Sequence, residues 1–279
     1  NAQAGIVISA SHNSYADNGI KIFSGDGQKI SREFEEFIEL GLTHLEDDWL
    51  VPSRQFNLTY FEDWEEQYAK YCLEKIDSSM SLRRLKIVVD CANGATYKVA
   101  SNILRRFGPQ LFSIGGSPNG YNINSAVGST NPTTLQKAVM ENRSDIGIAF
   151  DGDGDRLGVV SPNGKIIWPD RQLLLFAQDI LEHQPGAEII YDVKCSRLLP
   201  KIIQNSGGRP TMWKTGHSYI KRKVNEEKAI AGFEKSGHFF FNNPLGYGYD
   251  DGINSAIQVC KLLDNEDFKL SKLIKSLPN

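Results

Sequence analysis

Ile146-Gly147-Ile148-Ala149-Phe150-Asp151-Gly152-Asp153-Gly154-Asp155-Arg156 runs from an apolar stretch directly into a loop that carries three carboxylates. Two unit charges about 5 Å apart repel by about 3 kcal/mol at an effective dielectric near 20, so three convergent carboxylates need a cation to offset them. Glycines between the aspartates permit the tight curvature that turns all three inward. An all-oxygen donor set predicts Mg²⁺ or Ca²⁺ rather than zinc or copper. An EF-hand loop also opens Asp-x-Asp-x-Asp, but it needs Gly sixth and an acidic residue twelfth, where this chain has Arg156 and Pro162. A solvated Gly-Asp turn is the plainer alternative, and it gains nothing from stacking three like charges.

A guanidinium beside a divalent cation suits phosphoryl oxygens, which Arg156 can grip bidentately. Phosphoryl transfer then requires a carrier, and Ser9-Ala10-Ser11-His12-Asn13-Ser14 offers one after the strand-like Gly5-Ile6-Val7-Ile8. Ser11 is the candidate nucleophile, with His12 and Asn13 as donors to phosphate oxygens. On this segment alone an ordinary Ser/Asn-rich turn stays open.

Four motifs together resemble the α-D-phosphohexomutases. Ser9 to Asn13, followed by Asn18-Gly19-Ile20-Lys21, resembles that family's phosphoserine loop, and Asp151 to Arg156 resembles its metal loop. Lys214-Thr215-Gly216-His217-Ser218 and Glu234-Lys235-Ser236-Gly237-His238 resemble the segments of its third domain that face the sugar. Among the subfamilies, Trp168-Pro169-Asp170-Arg171, Tyr191 to Cys195 and Met212 to Ser218 are most similar to bacterial phosphomannomutase/phosphoglucomutase.

The resemblance implies reversible exchange of phosphate between the 1- and 6-positions of a hexose, mannose or glucose, through a phosphoserine and a hexose 1,6-bisphosphate. Ser11 would carry the phosphoryl group, and Mg²⁺ would sit among Asp151, Asp153, Asp155 and a phosphoserine oxygen. Lys21 would be the general acid/base, with its pKa brought down toward neutrality by desolvation and by Arg156. His12 and Arg156 complete the catalytic set. Lys194, Gly216, His217, Glu234, Ser236 and His238 would bind the substrate, Glu234 and Ser236 reading sugar hydroxyls. Glucose 1,6-bisphosphate is the expected activator. Two departures stand out: Ser14 replaces a usual proline, and Phe233 replaces a common glycine before Glu234. A metal-dependent sugar-phosphate-binding module without turnover, and a phosphosugar phosphatase, are the alternatives.

Composition carries no signature of another class. With 31 basic and 34 acidic side chains the net charge is −3, which gives no footprint for nucleic acid or an anionic membrane. No apolar run approaches the ~20 residues that span a bilayer. Four scattered cysteines form no Cys-x-x-Cys pair, and a cytoplasmic setting is expected. The partner implied is a hexose phosphate, with no obligate protein partner.

The expected architecture is α/β, as serial similar domains with mixed sheets covered by helices: 1–66 with the phosphoserine loop, 67–166 with the metal loop, and 167–279 with the sugar-recognition loops. Against the family pattern the chain reads as a fragment that lacks the start of the first domain and the C-terminal phosphate-binding domain, and by itself it is expected to be a weak or inactive phosphomannomutase/phosphoglucomutase. Ser31 should cap a helix whose face carries Phe34, Phe37, Ile38 and Leu42. Thr59-Tyr60-Phe61-Glu62 has a capping-box pattern and predicts a helix start, with Tyr60, Trp64, Tyr68, Tyr71 and Cys72 at helical spacing. Leu85 to Asp90 predicts a buried strand, followed by a helix that Gly108 ends. Ala187 to Asp192 and Ser196 to Leu199 repeat that grammar. Ser161-Pro162-Asn163-Gly164 is a hairpin signal after the metal loop.

Overall fold

The computed structural model describes residues 2–44, 59–76 and 79–264. Three sheets follow one another along the chain. The first is an antiparallel pair, β1 (Ala4–Ile8) and β2 (Ile20–Ser24), in register from Ala4 opposite Ser24 to Ile8 opposite Ile20. The loop it closes, residues 9–19, is the serine loop, tied at its base by Ser9 N–H donating to Gly19 O at 2.9 Å. A Cβ on Gly19 would stand 2.6 Å from that same Ser9 carbonyl oxygen, so the Asn-Gly step is sterically required.

The second sheet has five strands in the order β4-β3-β5-β6-β7: β3 (Lys86–Asp90), β4 (Gln110–Ile114), β5 (Ile146–Ala149), β6 (Gly158–Val160) and β7 (Ile166–Ile167). β3, β4 and β5 are parallel, and β6 and β7 add an antiparallel edge. Side chains of β3 alternate between faces, as a strand dictates. Ile87 and Val89 pack with Val99, Ile103 and Leu104 of α3 (Val99–Arg105), whereas Val88 packs with Leu135 and Val139 of α4 (Thr133–Glu141). The result is an α/β/α sandwich. The hairpin signal holds: β6 and β7 pair antiparallel across the turn, and Gly164 takes φ +73° there.

The third sheet, of order β11-β10-β8-β9, is built from β8 (Glu188–Asp192), β9 (Arg209–Trp213), β10 (Ala231–Phe233) and β11 (Phe239–Phe241). β8 is parallel to β9 and β10, and β11 closes the sheet antiparallel. Ile190 and Phe240 face Ile220 and Val224 of α7 (His217–Glu226). The opposite face buries Phe233, Phe239 and Phe241 around Phe176 of α5 (Pro169–His183), with α6 (Leu199–Asn205) and α8 (Gly252–Asp264) on the same side. Phe233 is fully buried in this cluster, so the bulky residue before Glu234 serves the core. Serial α/β units with mixed sheets covered by helices are what the sequence predicts.

One contiguous core runs through the second and third units, joining Phe150 and Leu157 to Ile253 and Ile257. α2 (Trp64–Leu73) bridges them: Tyr68 Oη donates to Asp251 at 2.8 Å, and Tyr71 stacks on Tyr247 with ring centroids 3.7 Å apart. The aromatic stripe is therefore a contact between units. Its start differs from the sequence reading. The helix begins at Trp64, not within Thr59 to Glu62, and its N-cap Asp63 makes no side-chain capping bond. Tyr60 lies outside it, exposed. α1 (Arg32–Thr43) starts where expected, with Ser31 Oγ accepting from Phe34 N–H, yet none of its residues is buried and Phe37 is 68% exposed.

Candidate active site

The carboxyl ends of the parallel strands converge on one side of the second and third sheets, the place where open α/β sheets bind ligands. Asp90, ending β3, accepts from Ala92 N–H at 2.9 Å and Gly128 N–H at 2.7 Å, and Asp192, ending β8, accepts from Cys195 Sγ at 2.9 Å and Thr215 Oγ1 at 3.2 Å. The aspartate that ends each strand thus anchors loops. The acidic loop itself begins one residue beyond β5, with Phe150 N–H held by Asp90 O at 2.9 Å.

Ser11 meets this loop from the first unit. Its Oγ donates to Asp151 Oδ2 at 3.1 Å and lies 3.4 Å from His12 Nδ1. Its backbone is left-handed, with φ +53°, a rare conformation for a residue with Cβ. Ser9 Oγ accepts from Ser11 N–H and donates to Asp153 Oδ2, both at 2.9 Å. Lys21, opposite Val7 in the β1–β2 pair, reaches over the same loop: Nζ lies 2.7 Å from Asp153 Oδ2 and 3.6 Å from Asp155 Oδ2.

These contacts correct one expectation. Burial does press the Lys21 pKa down, but the hydrogen bond to Asp153 and the fields of Asp153 and Asp155 outweigh it, so the ammonium is held above its ordinary value. Asp153 answers in kind: burial works against its charge, and Lys21 nonetheless holds it below the usual carboxylate value. Burial pushes the Asp155 carboxyl up to about 6, against the pull of His238 and with the push of Asp151 and Asp153. His12 is lowered, by burial first and then by Arg156.

One oxygen of each of Asp151, Asp153 and Asp155 lies within 4.8 Å of the others. Asp153 Oδ1 and Asp155 Oδ1 are buried and have no hydrogen-bond partner. Orphaned anionic oxygens converging with a third carboxylate fit a hard divalent cation such as Mg²⁺.

Arg156 links the acidic loop to the third unit. Its N–H donates to Asp151 Oδ1 at 3.2 Å, its Nε lies 3.5 Å from Asp151 Oδ2, and Nε also donates to His238 Nε2 at 3.1 Å. The backbones join as well, through an Arg156–His238 bridge and Leu157 N–H donating to Gly237 O at 3.0 Å. His238 Nδ1 stands 3.5 Å from Asp250 Oδ2 and 3.6 Å from Asp155 Oδ1, and His217 Nδ1 stands 3.2 Å from the same Asp250 oxygen. The two imidazoles stack with centroids 5.5 Å apart. Burial presses the His238 pKa down, but Asp250 and Asp155 outweigh it and raise it. In the neutral ring the Arg156 donation takes up the Nε2 lone pair and leaves the proton on Nδ1, toward the carboxylates. Burial opposes charge on Asp250, yet His217, His238 and Lys221, at 2.7 Å, hold its carboxyl well below the ordinary value.

Glu234 is buried. Its Oε1 accepts from Gly216 N–H at 2.5 Å and its Oε2 from Ser236 Oγ at 3.4 Å, so the two loops of the third unit are joined through one carboxylate. Lys194 stands apart: it is exposed in the turn after β8 and makes no hydrogen bond or ion pair with the cluster. The remaining predicted residues lie together, drawn from all three units. The sequence reading missed Ser9, Asn124, Lys221 and Asp250. Ser9 had a signal as the first residue of the serine motif, and Asp250 had one in the doubled carboxylate Asp250-Asp251 ahead of Gly252, whose Cβ position is 2.5 Å from Gly154 O of the acidic loop.

Comparison with known proteins gives a consistent picture. The family descriptions "Phosphoglucomutase/phosphomannomutase, alpha/beta/alpha domain" I, II and III match residues 1–47, 66–164 and 168–279. A phosphomannomutase/phosphoglucomutase of Pseudomonas syringae is 37% identical over 282 residues, covering 99% of this chain and 58% of that protein. A phosphoglucosamine mutase of Aeromonas salmonicida is 39% identical over 273 residues, covering 98% and 61%. The chain thus spans about three fifths of the length of these relatives. Among solved structures, a phosphoglucomutase/phosphomannomutase family protein of Burkholderia thailandensis superposes with a TM-score of 0.85 at 34% identity, covering 99% of this chain and 58% of that one. An Aspergillus fumigatus N-acetylphosphoglucosamine mutase, in complex with GlcNAc-6P and magnesium, shares the fold with a TM-score of 0.76 at 16% identity, covering 99% and 73%.

Proposed function

The chain belongs to the phosphoglucomutase/phosphomannomutase family of α-D-phosphohexomutases, and from that premise we propose that it serves reversible phosphoryl transfer between the 1- and 6-positions of a hexose phosphate, mannose or glucose, through a phosphoserine at Ser11. The observation that carries this reading is the meeting of Ser11 Oγ with Asp151 at 3.1 Å, across 140 positions of sequence, beside two further carboxylates and Arg156. A phosphoryl group on a hydroxyl placed there would stand near the cationic side chains of Arg156 and Lys21.

In the forward half-reaction the P–Oγ bond of phosphoserine breaks and a P–O bond to a sugar hydroxyl forms, giving the 1,6-bisphosphate. The proton of that hydroxyl must end on Ser11 Oγ. Lys21, held charged, suits a relay: it gives a proton to Oγ as the phosphoryl group departs and takes the hydroxyl proton in return. After the bisphosphate turns over, the same steps run backward from the other end of the sugar. Arg156 steadies the equatorial oxygens. Asp151, Asp153 and Asp155, with an oxygen on Ser11, would hold Mg²⁺, which when bound supplies charge neutralisation at the transferring group. Glu234 and Ser236 would read sugar hydroxyls, with Gly216, His217 and His238 lining the substrate cleft. The units 1–66, 67–166 and 167–279 would contribute nucleophile, metal loop and sugar readers in turn.

A coupled assay on mannose, glucose and glucosamine 1-phosphates, primed with glucose 1,6-bisphosphate, tests the reading. Formation of the 6-phosphate from mannose or glucose would support it, with weak turnover expected from a chain that spans about three fifths of its relatives. Stoichiometric release of free phosphate would establish a phosphatase instead, and binding without either product a non-catalytic module.

A further inference from the structure

Ser11 is held from below by a side chain that belongs to the second unit. Asn124 Nδ2 donates to Ser11 O at 3.0 Å and to Asn13 O at 2.8 Å, across more than a hundred positions of sequence. Both N–H bonds of the carboxamide are thereby used, and both partners are carbonyl oxygens, so only the amide nitrogen can face them. Asn124 is itself left-handed, at φ +57°, a conformation that asparagine tolerates better than most residues with Cβ. Its own N–H donates to Ala92 O at 2.8 Å, which fixes it to the loop that follows β3. Gly152 completes the contact from the acidic loop: a Cβ there would lie 2.4 Å from Ser11 O and 2.7 Å from Asn124 Nδ2.

We propose that Asn124 is a positioning residue that clamps Ser11 in its left-handed backbone conformation and so sets the register of the serine hydroxyl against the acidic loop. The clamp draws both halves of the register from one body. Asn124, through Ala92, and Asp151, through Phe150, hang from the ends of adjacent parallel strands β3 and β5. A left-handed serine is costly without such support. The consequence for phosphoryl transfer rests on the phosphoserine reading above, whereas the clamp itself does not.

Hydrogen exchange of the full chain, read by mass spectrometry, separates the two. Ser11 N–H and Asn13 N–H are bonded within the loop, so their protection reports its order. Asn124→Gly keeps the backbone conformation and removes both donations. Exchange over residues 11–17 is expected to accelerate at least about tenfold, while exchange in β3 (Lys86–Asp90) stays unchanged. Asn124→Asp preserves the shape but turns a carboxylate toward two carbonyl oxygens, so it should release the loop further than glycine does. A space-filling role predicts the reverse order. Gly152→Ala attacks the same contact from the other side and should give the same local pattern. In parallel, phosphate loading of Ser11 from glucose 1,6-bisphosphate, followed by intact mass, should slow about tenfold or more in Asn124→Gly. Wild-type exchange in Asn124→Asp would overturn the clamp. Accelerated exchange with no loading in any variant, wild type included, upholds the clamp and counts against the phosphoserine reading alone.

Discussion

Lys21 Nζ lies 2.7 Å from Asp153 Oδ2, so a cation carried on the β1–β2 hairpin sits directly against the acidic loop of the second unit. A charged side chain in that position does two things. It relieves the repulsion among Asp151, Asp153 and Asp155, and it competes with any divalent cation for the Asp153 oxygens.

Removing it should therefore tighten metal binding. Lys21→Met is expected to lower the Mg²⁺ Kd by roughly tenfold, the effect of deleting one nearby unit charge at a partly screened site. Isothermal titration of both proteins with MgCl₂ measures this directly, and weaker binding by the variant would show that Lys21 does not compete.

Asp153→Asn acts in the opposite sense. It removes the negative charge and one of the two oxygens that serve the metal, Ser9 and Lys21, and Mg²⁺ affinity should fall by about tenfold or more. Circular dichroism should remain that of the wild type, because Asp153 lies in a loop outside the core. Unchanged Mg²⁺ affinity would remove this residue from the metal site.

Ser11→Gly tests function against strain. A glycine accepts φ +53° without cost, so thermal stability should stay within about 1 kcal/mol of the wild type despite the lost hydrogen bond to Asp151. Phosphate incorporation from glucose 1,6-bisphosphate should vanish. Peptide mapping that still finds phosphate in the variant would move the carrier elsewhere.

Asp250 predicts a pH dependence. Its folded pKa lies well below the ordinary 3.8, so the carboxylate contributes stability that is complete above that value and is lost as pH falls through the folded pKa. At pH 7, Asp250→Asn should be destabilised by roughly 2 kcal/mol, since the half-buried Lys221 loses its counter-charge. Below about pH 4 the gap between wild type and variant should narrow steadily. Urea unfolding at pH 7 and pH 3 provides the comparison, and an equal gap at both would remove Asp250 from the acid-sensitive set.

The sequence by itself determined what depends on neighbours along the chain. The Asp/Gly alternation of 151–155, the turn at 161–164 and the apolar strands ending in aspartate are local patterns whose sterics and periodicity read off directly. Tertiary structure decided the rest. The Lys21 ammonium is stabilised because its carboxylate partners stand 132 and 134 positions away and outweigh burial, a balance of fields that no local motif encodes. Asp250 gathers His217, His238 and Lys221 only once α7 and the loop after β11 fold together, and Asn124 finds Ser11 only when the serine loop docks on the second sheet. The capping-box pattern at Thr59 to Glu62 failed for the same reason in reverse: a local preference gave way to the packing of Tyr68 and Tyr71 between two units, which fixes where α2 begins. Residue types can announce a chemistry, but charge states and contacts over a hundred positions of chain are set by the geometry of docking and by the low dielectric it creates.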